Sequence, residues 1–308
     1  MSEIQMFKVT VDGIQIEVPA GTTILEAARM IGGEVVPPAM CFYKPLAGSG
    51  GKCRTCLVKV AAGSEKDPRP MPKLMPSCST TVMDGMIVES STNQQVKDAR
   101  TGVTELLLIN HPLDCPVCDQ AGECKLQDLA FEAGKLQNRY EFNRSEFESE
   151  DIGPLIKLNK QRCIVCYRCV YAANQLTDNR EHGVLFRGDK AEISTCIGQS
   201  LDNEFIGNII DVCPVGALTD RTARFKSRIW FTNQLDAHRE CDTCCGRVVL
   251  HKQGDDIIRV SARKNEWDEV NEWICNTCRF EKKEDADWTI EGPRKIDQHS
   301  VQSLNHYE

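Results

Sequence analysis

The chain has 308 residues, 41% hydrophobic and 27% charged, a globular composition that excludes global disorder and allows two or three domains. Its net charge of −8 gives no general attraction for nucleic acid, and no uncharged apolar run reaches the ~18 residues of a membrane span. The start, Met1-Ser2-Glu3-Ile4-Gln5, lacks the basic-then-apolar form of a secretory signal. A cytosolic setting is therefore expected, where neighbouring thiols serve as metal ligands or redox groups rather than disulfides. The 17 cysteines are the feature to explain.

In chain order, Met6–Val11 alternates apolar and polar residues, Asp12-Gly13 is a hairpin turn, and Ile14–Val18 alternates again. Gly21-Thr22-Thr23 opens a helix to about Ile31, with Thr23 and Glu26 spaced as a capping box. Cysteine-bearing loops follow, with Cys41, Cys53, Cys56 and Cys78 as a first block interrupted by the Pro-rich Pro68–Pro72. Residues 95–110 read as a helix ending before His111-Pro112. The second block is Cys115, Cys118 and Cys124, and the charged Glu141–Asp151 reads as a linker. Cys163, Cys166, Cys169 and Cys213 form the third block; Cys241, Cys244, Cys245, Cys275 and Cys278 form the last. Cys196 stands apart and is expected as a small buried hydrophobe. After Asp287 the chain turns polar without periodicity. The spacings differ from block to block, so these are successive unrelated modules rather than repeats.

Four thiolates can hold two irons bridged by two sulfides. In the first block, Ala47-Gly48-Ser49-Gly50-Gly51-Lys52 suits that role, because glycines let amide N–H groups approach anionic sulfur. A phosphate loop would need glycine at position 46, which is Leu46. The loop favours a [2Fe–2S] centre over structural zinc. In the second block, His111 with Cys115, Cys118 and Cys124 offers one imidazole and three thiolates, a set open to zinc or one cubane cluster. The third block has the bacterial ferredoxin pattern with its fourth ligand displaced to Cys213-Pro214. The ligand positions of a second such cluster are Ala173, Asn203, Ile206 and Ile209, so a single [4Fe–4S] centre is expected.

Three stretches carry a family resemblance over about residues 5–230. They are Gly51-Lys52-Cys53-Arg54-Thr55-Cys56, His111 to Cys124 with Lys125-Leu126-Gln127-Asp128, and Arg162–Val170 with Cys213-Pro214-Val215-Gly216-Ala217-Leu218. In this order the chain resembles the large iron–sulfur subunit of NADH:quinone oxidoreductase (NADH dehydrogenase), respiratory complex I. It is also similar to the electron-entry part of iron-only hydrogenases and to diaphorase subunits of NAD-reducing hydrogenases. The resemblance implies an α+β chain: a β-grasp [2Fe–2S] domain, a small helical His/Cys domain, and a ferredoxin-like domain. It implies [2Fe–2S] ligation by Cys41, Cys53, Cys56 and Cys78, and [4Fe–4S] ligation by His111, Cys115, Cys118 and Cys124. It implies a second [4Fe–4S] centre on Cys163, Cys166, Cys169 and Cys213.

Expected boundaries are 1–94, 95–150 and 151–229 for these domains, 230–280 for a Cys-rich module resembling molybdopterin oxidoreductases, and 281–308 for a polar tail. The family's long C-terminal domain is not expected in this chain, so no molybdopterin is expected on it. In the module, Cys241, Cys244, Cys275 and Cys278 form two C-x2-C knuckles, with Cys245 as a rival ligand that aligns with a family cysteine only across a deletion. A fourth Fe–S cluster, structural zinc and unmetallated thiols all remain open here.

No G-x-G-x-x-G opens a βα unit, so neither NAD nor flavin is expected on this chain. The implied function is an electron relay between a flavin- and NADH-binding subunit and quinone-side hydrophilic subunits. Membrane subunits are expected to be reached indirectly, with the chain peripheral on the cytoplasmic side of the inner (plasma) membrane. The same relay could serve a soluble NAD-linked hydrogenase or formate dehydrogenase; a zinc-stabilised interaction scaffold is the reading from another class. His182, His238, His251, His299 and His306 are expected as solvated or ordinarily hydrogen-bonded. Trp230, Trp267, Trp273 and Trp288 are expected as packing residues.

Overall fold

The period-two pattern of the first residues builds a sheet. A computed structural model of the chain describes residues 5–133, 139–140, 147–177, 182–195, 200–270 and 272–294. Strands β1 (Met6–Val11) and β2 (Ile14–Pro19) pair as a hairpin, and Asp12 and Gly13 both take positive φ (48° and 85°), as a two-residue primed turn requires. Helix α1 (Ile24–Ile31) begins at Thr23, whose hydroxyl accepts the Glu26 N–H while the Glu26 carboxylate accepts the Thr23 N–H. Strands β3 (Leu57–Ala62), β4 (Met75–Pro76) and β5 (Met86–Glu89) complete a sheet of order β2-β1-β5-β3-β4, with β1 parallel to β5. One helix across such a mixed sheet is the β-grasp arrangement, sealed by Val9, Val11, Ile24, Ala27, Val58, Val60 and Val88.

Asn93 caps helix α2 (Gln94–Leu108) through the Val96 N–H, and α3 (Lys125–Ala133) follows Cys124 directly. Next come β6 (Glu150–Asp151), β7 (Ile156–Leu158), α4 (Arg168–Leu176), β8 (His182–Leu185), β9 (Glu192–Thr195), α5 (Asn208–Val212) and β10 (Leu218–Asp220). Their sheets are β10-β7-β6 and the β8-β9 ribbon. The last sheet contains β11 (Asn233–His238), β12 (Arg247–Gln253), β13 (Asp256–Ala262) and β14 (Thr289–Pro293), in the order β13-β12-β11-β14.

One apolar core joins all four parts: Tyr43, Leu126, Ile156, Ile209, Val248 and Cys278 belong to the same buried cluster. Among the described residues, no helix is long and apolar enough to cross a membrane.

Several expectations change. The segment expected as a polar tail from 281 returns as β14, antiparallel to β11, because its polarity reflects an exposed edge strand rather than a missing strand. Glu150–Asp151, expected in a linker, is β6, and most of the rest of that stretch lies outside the described residues. Cys196, His299 and His306 also lie outside them. His182 is buried, and neither ring nitrogen has a hydrogen-bond partner among the described residues, contrary to the expected solvated histidine. His251 is buried against Ser261 Oγ at 2.9 Å, and His238 meets Glu291 at 2.8 Å. Trp288 is buried, Trp273 stacks on Tyr43, and Trp267 lies under Arg29; Trp230, in contrast, is 57% exposed.

Candidate metal centres

The first block forms a closed pocket. Cys41, Cys53, Cys56 and Cys78 are all buried; the Cys41 thiol meets those of Cys53 and Cys78, and Cys78 also meets Cys56. The glycine loop points amides at this sulfur: Gly51 N–H reaches Cys78 Sγ at 3.2 Å, and Lys52 and Cys53 N–H reach Cys41 Sγ at 3.3 and 3.4 Å. Gly50 and Gly51 take φ of 106° and 71°, which favour glycine, and a Cβ on Gly50 would stand 3.4 Å from both Cys78 Sγ and the Phe42 ring. Hydrogen bonds from the Cys53 and Cys78 thiols hold Cys41 well below the usual thiol range, and those same bonds push Cys53 and Cys78 up. The Cys78 thiol lowers Cys56 as well, to about 7, so the pocket by itself favours two of its four sulfurs as thiolates. Four anionic sulfurs there require metal cations among them, so the donor set fits an iron–sulfur centre.

In the second block, Cys118 is buried, Cys124 half-buried and Cys115 exposed, and the charges of Cys115 and Cys118 both act on Cys124. Burial pushes the Cys118 thiol up, and the Cys124 thiol up to about 11. His111 stands in the same loop, just past α2, with its N–H on the Leu108 carbonyl at 3.2 Å. Arg162 pairs with Asp114 at 2.8 Å, and Arg228 donates to the Cys118 and Pro116 carbonyls, so the loop is held from the neighbouring domain.

The third block converges by tight turns. Val165 and Tyr167 take φ of 52° and 66°, left-handed values that a β-branched residue adopts only under constraint, and the Val165 N–H meets Cys163 Sγ at 3.4 Å. Cys169 occupies the first turn of α4, and Cys213 closes α5. Burial pushes Cys163, Cys166, Cys169 and Cys213 all upward, Cys166 to about 12 despite the opposing charge of Arg168. Ala173, Ile206 and Ile209 pack in the core, where a second cluster would have needed thiols.

The three blocks touch. Arg168 donates to the Ala39 and Phe42 carbonyls beside Cys41, and the Gln175 amide donates to the Ala47 carbonyl at 2.9 Å and accepts the Ala47 N–H at 3.0 Å. On the other side, Cys124 Sγ lies 3.9 Å from the Pro214 carbonyl, and a Cβ on Gly216 would overlap Cys118 Sγ. Sequence reasoning missed Arg162, Arg168 and Gly216. Their positions beside cysteines were visible, but their burial against another block was not.

The last block differs in scale. Cys241, Cys244, Cys275 and Cys278 have Sγ atoms all within 4.8 Å of one another, the one such group of three or more His, Cys, Asp or Glu ligands among the described residues. Cys245, the rival ligand, is exposed and turns toward the Arg247 and Trp273 carbonyls.

Family models match three stretches: a 2Fe-2S iron-sulfur cluster binding domain at 5–93, the NADH-ubiquinone oxidoreductase-G iron-sulfur binding region at 100–139, and the ferredoxin-like domain of NADH-quinone oxidoreductase subunit 3 at 153–219. The chain is 42% identical over 276 residues to the G subunit of NADH-quinone oxidoreductase from Rickettsia bellii, covering 89% of this chain and 38% of that one. It is 41% identical over 275 residues to the NADH-ubiquinone oxidoreductase 75 kDa subunit of Reclinomonas americana, again covering 89% of this chain and 38% of that protein. Among solved structures, an NAD+-reducing [NiFe]-hydrogenase chain matches with a TM-score of 0.61 at 25% identity, over 72% of this chain and 91% of that one. The chain thus spans about two fifths of the length of these curated relatives, and over that span it is similar to the large iron–sulfur subunit of NADH-quinone oxidoreductase.

Proposed function

We propose that the chain is the iron–sulfur electron relay of an NADH:quinone oxidoreductase, taking electrons from a flavin- and NADH-binding subunit and delivering them toward quinone-side subunits. The domains would be 1–94, 95–150 and 151–229, followed by a C-terminal module. Cys41, Cys53, Cys56 and Cys78 would hold a [2Fe–2S] centre. His111, Cys115, Cys118 and Cys124, and separately Cys163, Cys166, Cys169 and Cys213, would each hold a [4Fe–4S] centre. When bound, these centres supply one-electron redox chemistry without proton transfer.

The protein's own part is positional and electrostatic. Gly51, Lys52, Cys53 and Val165 aim N–H groups at ligand sulfurs, and stabilising negative sulfur in this way favours the reduced state. Cys41, Cys53, Cys56, Cys78, Cys166 and Cys169 are buried from water, and Cys163 and Cys213 are half-buried. The observation that carries the reading is the contact order. The third block touches both of the others, bound through Arg168 to the Cys41 loop and through Pro214 and Gly216 to Cys124 and Cys118. A scaffold of independent zinc modules needs no such close succession; a relay does. Attachment to a membrane would come through partner subunits, on the cytoplasmic face.

The likeness to the hydrogenase chain favours a second reading, the same relay serving a soluble NAD-linked hydrogenase. Purification of the tagged chain with its native partners separates the two. The first reading expects a flavoprotein plus membrane subunits, and NADH-dependent bleaching of the visible absorption only while the flavoprotein is present. Co-purification with a hydrogenase subunit instead would overturn it.

A further inference from the structure

We infer that Cys241, Cys244, Cys275 and Cys278 hold a single tetrahedral zinc ion that braces the fold, and that the electron relay does not extend into this site. The argument begins with sulfur spacing. Cys241 Sγ lies 3.8 Å from both Cys244 Sγ and Cys275 Sγ, and Cys244 Sγ lies 3.8 Å from Cys278 Sγ. A zinc ion bonded to four sulfurs at about 2.3 Å sets the edges of its tetrahedron at about 3.8 Å. A cubane sets a separate iron beneath each thiolate, so the sulfurs around it must stand farther apart, and the present cage has room for one ion at its centre. The other three ligand sets are more open: among the described residues, no three of their ligand atoms lie within 4.8 Å of one another.

Local backbone geometry agrees. Each knuckle turns an amide onto its own metal-facing sulfur, Gly246 N–H to Cys244 Sγ at 3.4 Å and Cys278 N–H to Cys275 Sγ at 3.5 Å. Gly246 has φ of 65°, and a Cβ there would overlap the Arg239 carbonyl, so the turn that closes the first knuckle requires glycine. Zinc is favoured over ferrous iron because affinity for one ligand set rises along the divalent series toward zinc.

The site also has a mechanical consequence. Cys275 and Cys278 are fully buried, and the residues between and around them grip α5. Asn276 accepts the Gly207 N–H at 3.0 Å and donates to the Asn203 carbonyl at 2.9 Å, Arg279 pairs with Asp211, and Asn208 donates to the Ile274 carbonyl at 2.8 Å. Because α5 ends at Cys213, an ion joining the β11–β12 loop to this segment steadies a ligand of the third block without carrying electrons.

The test is metal analysis and zinc K-edge absorption on the full chain, purified anaerobically with its iron–sulfur centres loaded. One zinc per chain is expected, with a first shell of four sulfurs at about 2.3 Å and no metal–metal shell. Cys278→Ser should lose that zinc while the iron content and the number of paramagnetic centres stay unchanged, and Cys245→Ser should keep it. If Cys278→Ser fails to fold, the absorption spectrum of the unaltered chain decides alone. About 4 additional irons with matching sulfide and a further paramagnetic centre would overturn the inference. So would one extra iron without sulfide, a zinc shell containing oxygen or nitrogen, or no metal at these cysteines. None of these outcomes bears on the iron of the first three blocks, so failure here and failure of the relay reading are distinguishable.

Discussion

Arg168 donates from one guanidinium nitrogen to the Phe42 carbonyl at 2.6 Å, and the same nitrogen reaches the Ala39 carbonyl at 2.9 Å. Phe42 follows Cys41, and Arg168 lies between Cys166 and Cys169, so one buried side chain fastens two cysteine-bearing loops together. The guanidinium also lies over the Tyr43 ring at 5.1 Å. Replacing Arg168 by Met strands two carbonyls and removes the cation–π contact, a loss of about 3 kcal/mol in unfolding free energy. It also removes a positive charge beside Cys166, so the third-block midpoint potential should move downward. Redox titration of the Arg168→Met protein checks this; an unchanged midpoint would leave Arg168 a purely structural tie.

Gly216 sits where the second and third blocks meet. An added Cβ would overlap Cys118 Sγ and stand 3.1 Å from Gln120 Cβ, so Gly216→Ala must displace Cys118. The expected outcome is loss of about 4 of about 10 irons per chain, with the [2Fe–2S] signal retained. Iron analysis beside the spin-resonance spectrum checks it, and full iron content would contradict the proposed ligand set.

On the proposed ligation, His111→Cys replaces a neutral ligand by an anionic one. The cluster should persist and its midpoint potential fall, because the added charge disfavours reduction. Identical spectra and midpoint in the variant would remove His111 from the ligand set.

Acid sensitivity should come in part from His182. Burial lowers its ring from the ordinary 6.5 to about 4 in the folded chain. The unfolded chain therefore binds more protons between those values, so stability is intact above about pH 6.5 and is lost as pH falls toward 4. From pH 7.5 to 5 the loss is about 2 kcal/mol. Denaturant unfolding of His182→Leu should show a shallower decline over that interval than the unaltered chain.

Legibility in the sequence followed the range of the interactions. The β1–β2 hairpin and the Thr23–Glu26 capping box depend on neighbours in the chain and appear where the pattern puts them. The cysteine blocks were readable because ligand spacing is itself local. The burial of His182, the strand at Thr289–Pro293 and the bridges made by Arg168 and Gly216 depend on partners distant in sequence, and no local pattern announces those. At the last block, spacing alone allowed cluster or zinc, and the zinc proposal rests on the separation of the sulfurs.

The most direct test of the relay is the iron and acid-labile sulfide content of the chain purified without oxygen, read with its visible and spin-resonance spectra during reduction. The account predicts a brown protein with about 10 irons and matching sulfide, bleaching on reduction to one [2Fe–2S] and two [4Fe–4S] signals. A colourless chain with zinc at its cysteines and no labile sulfide would contradict it.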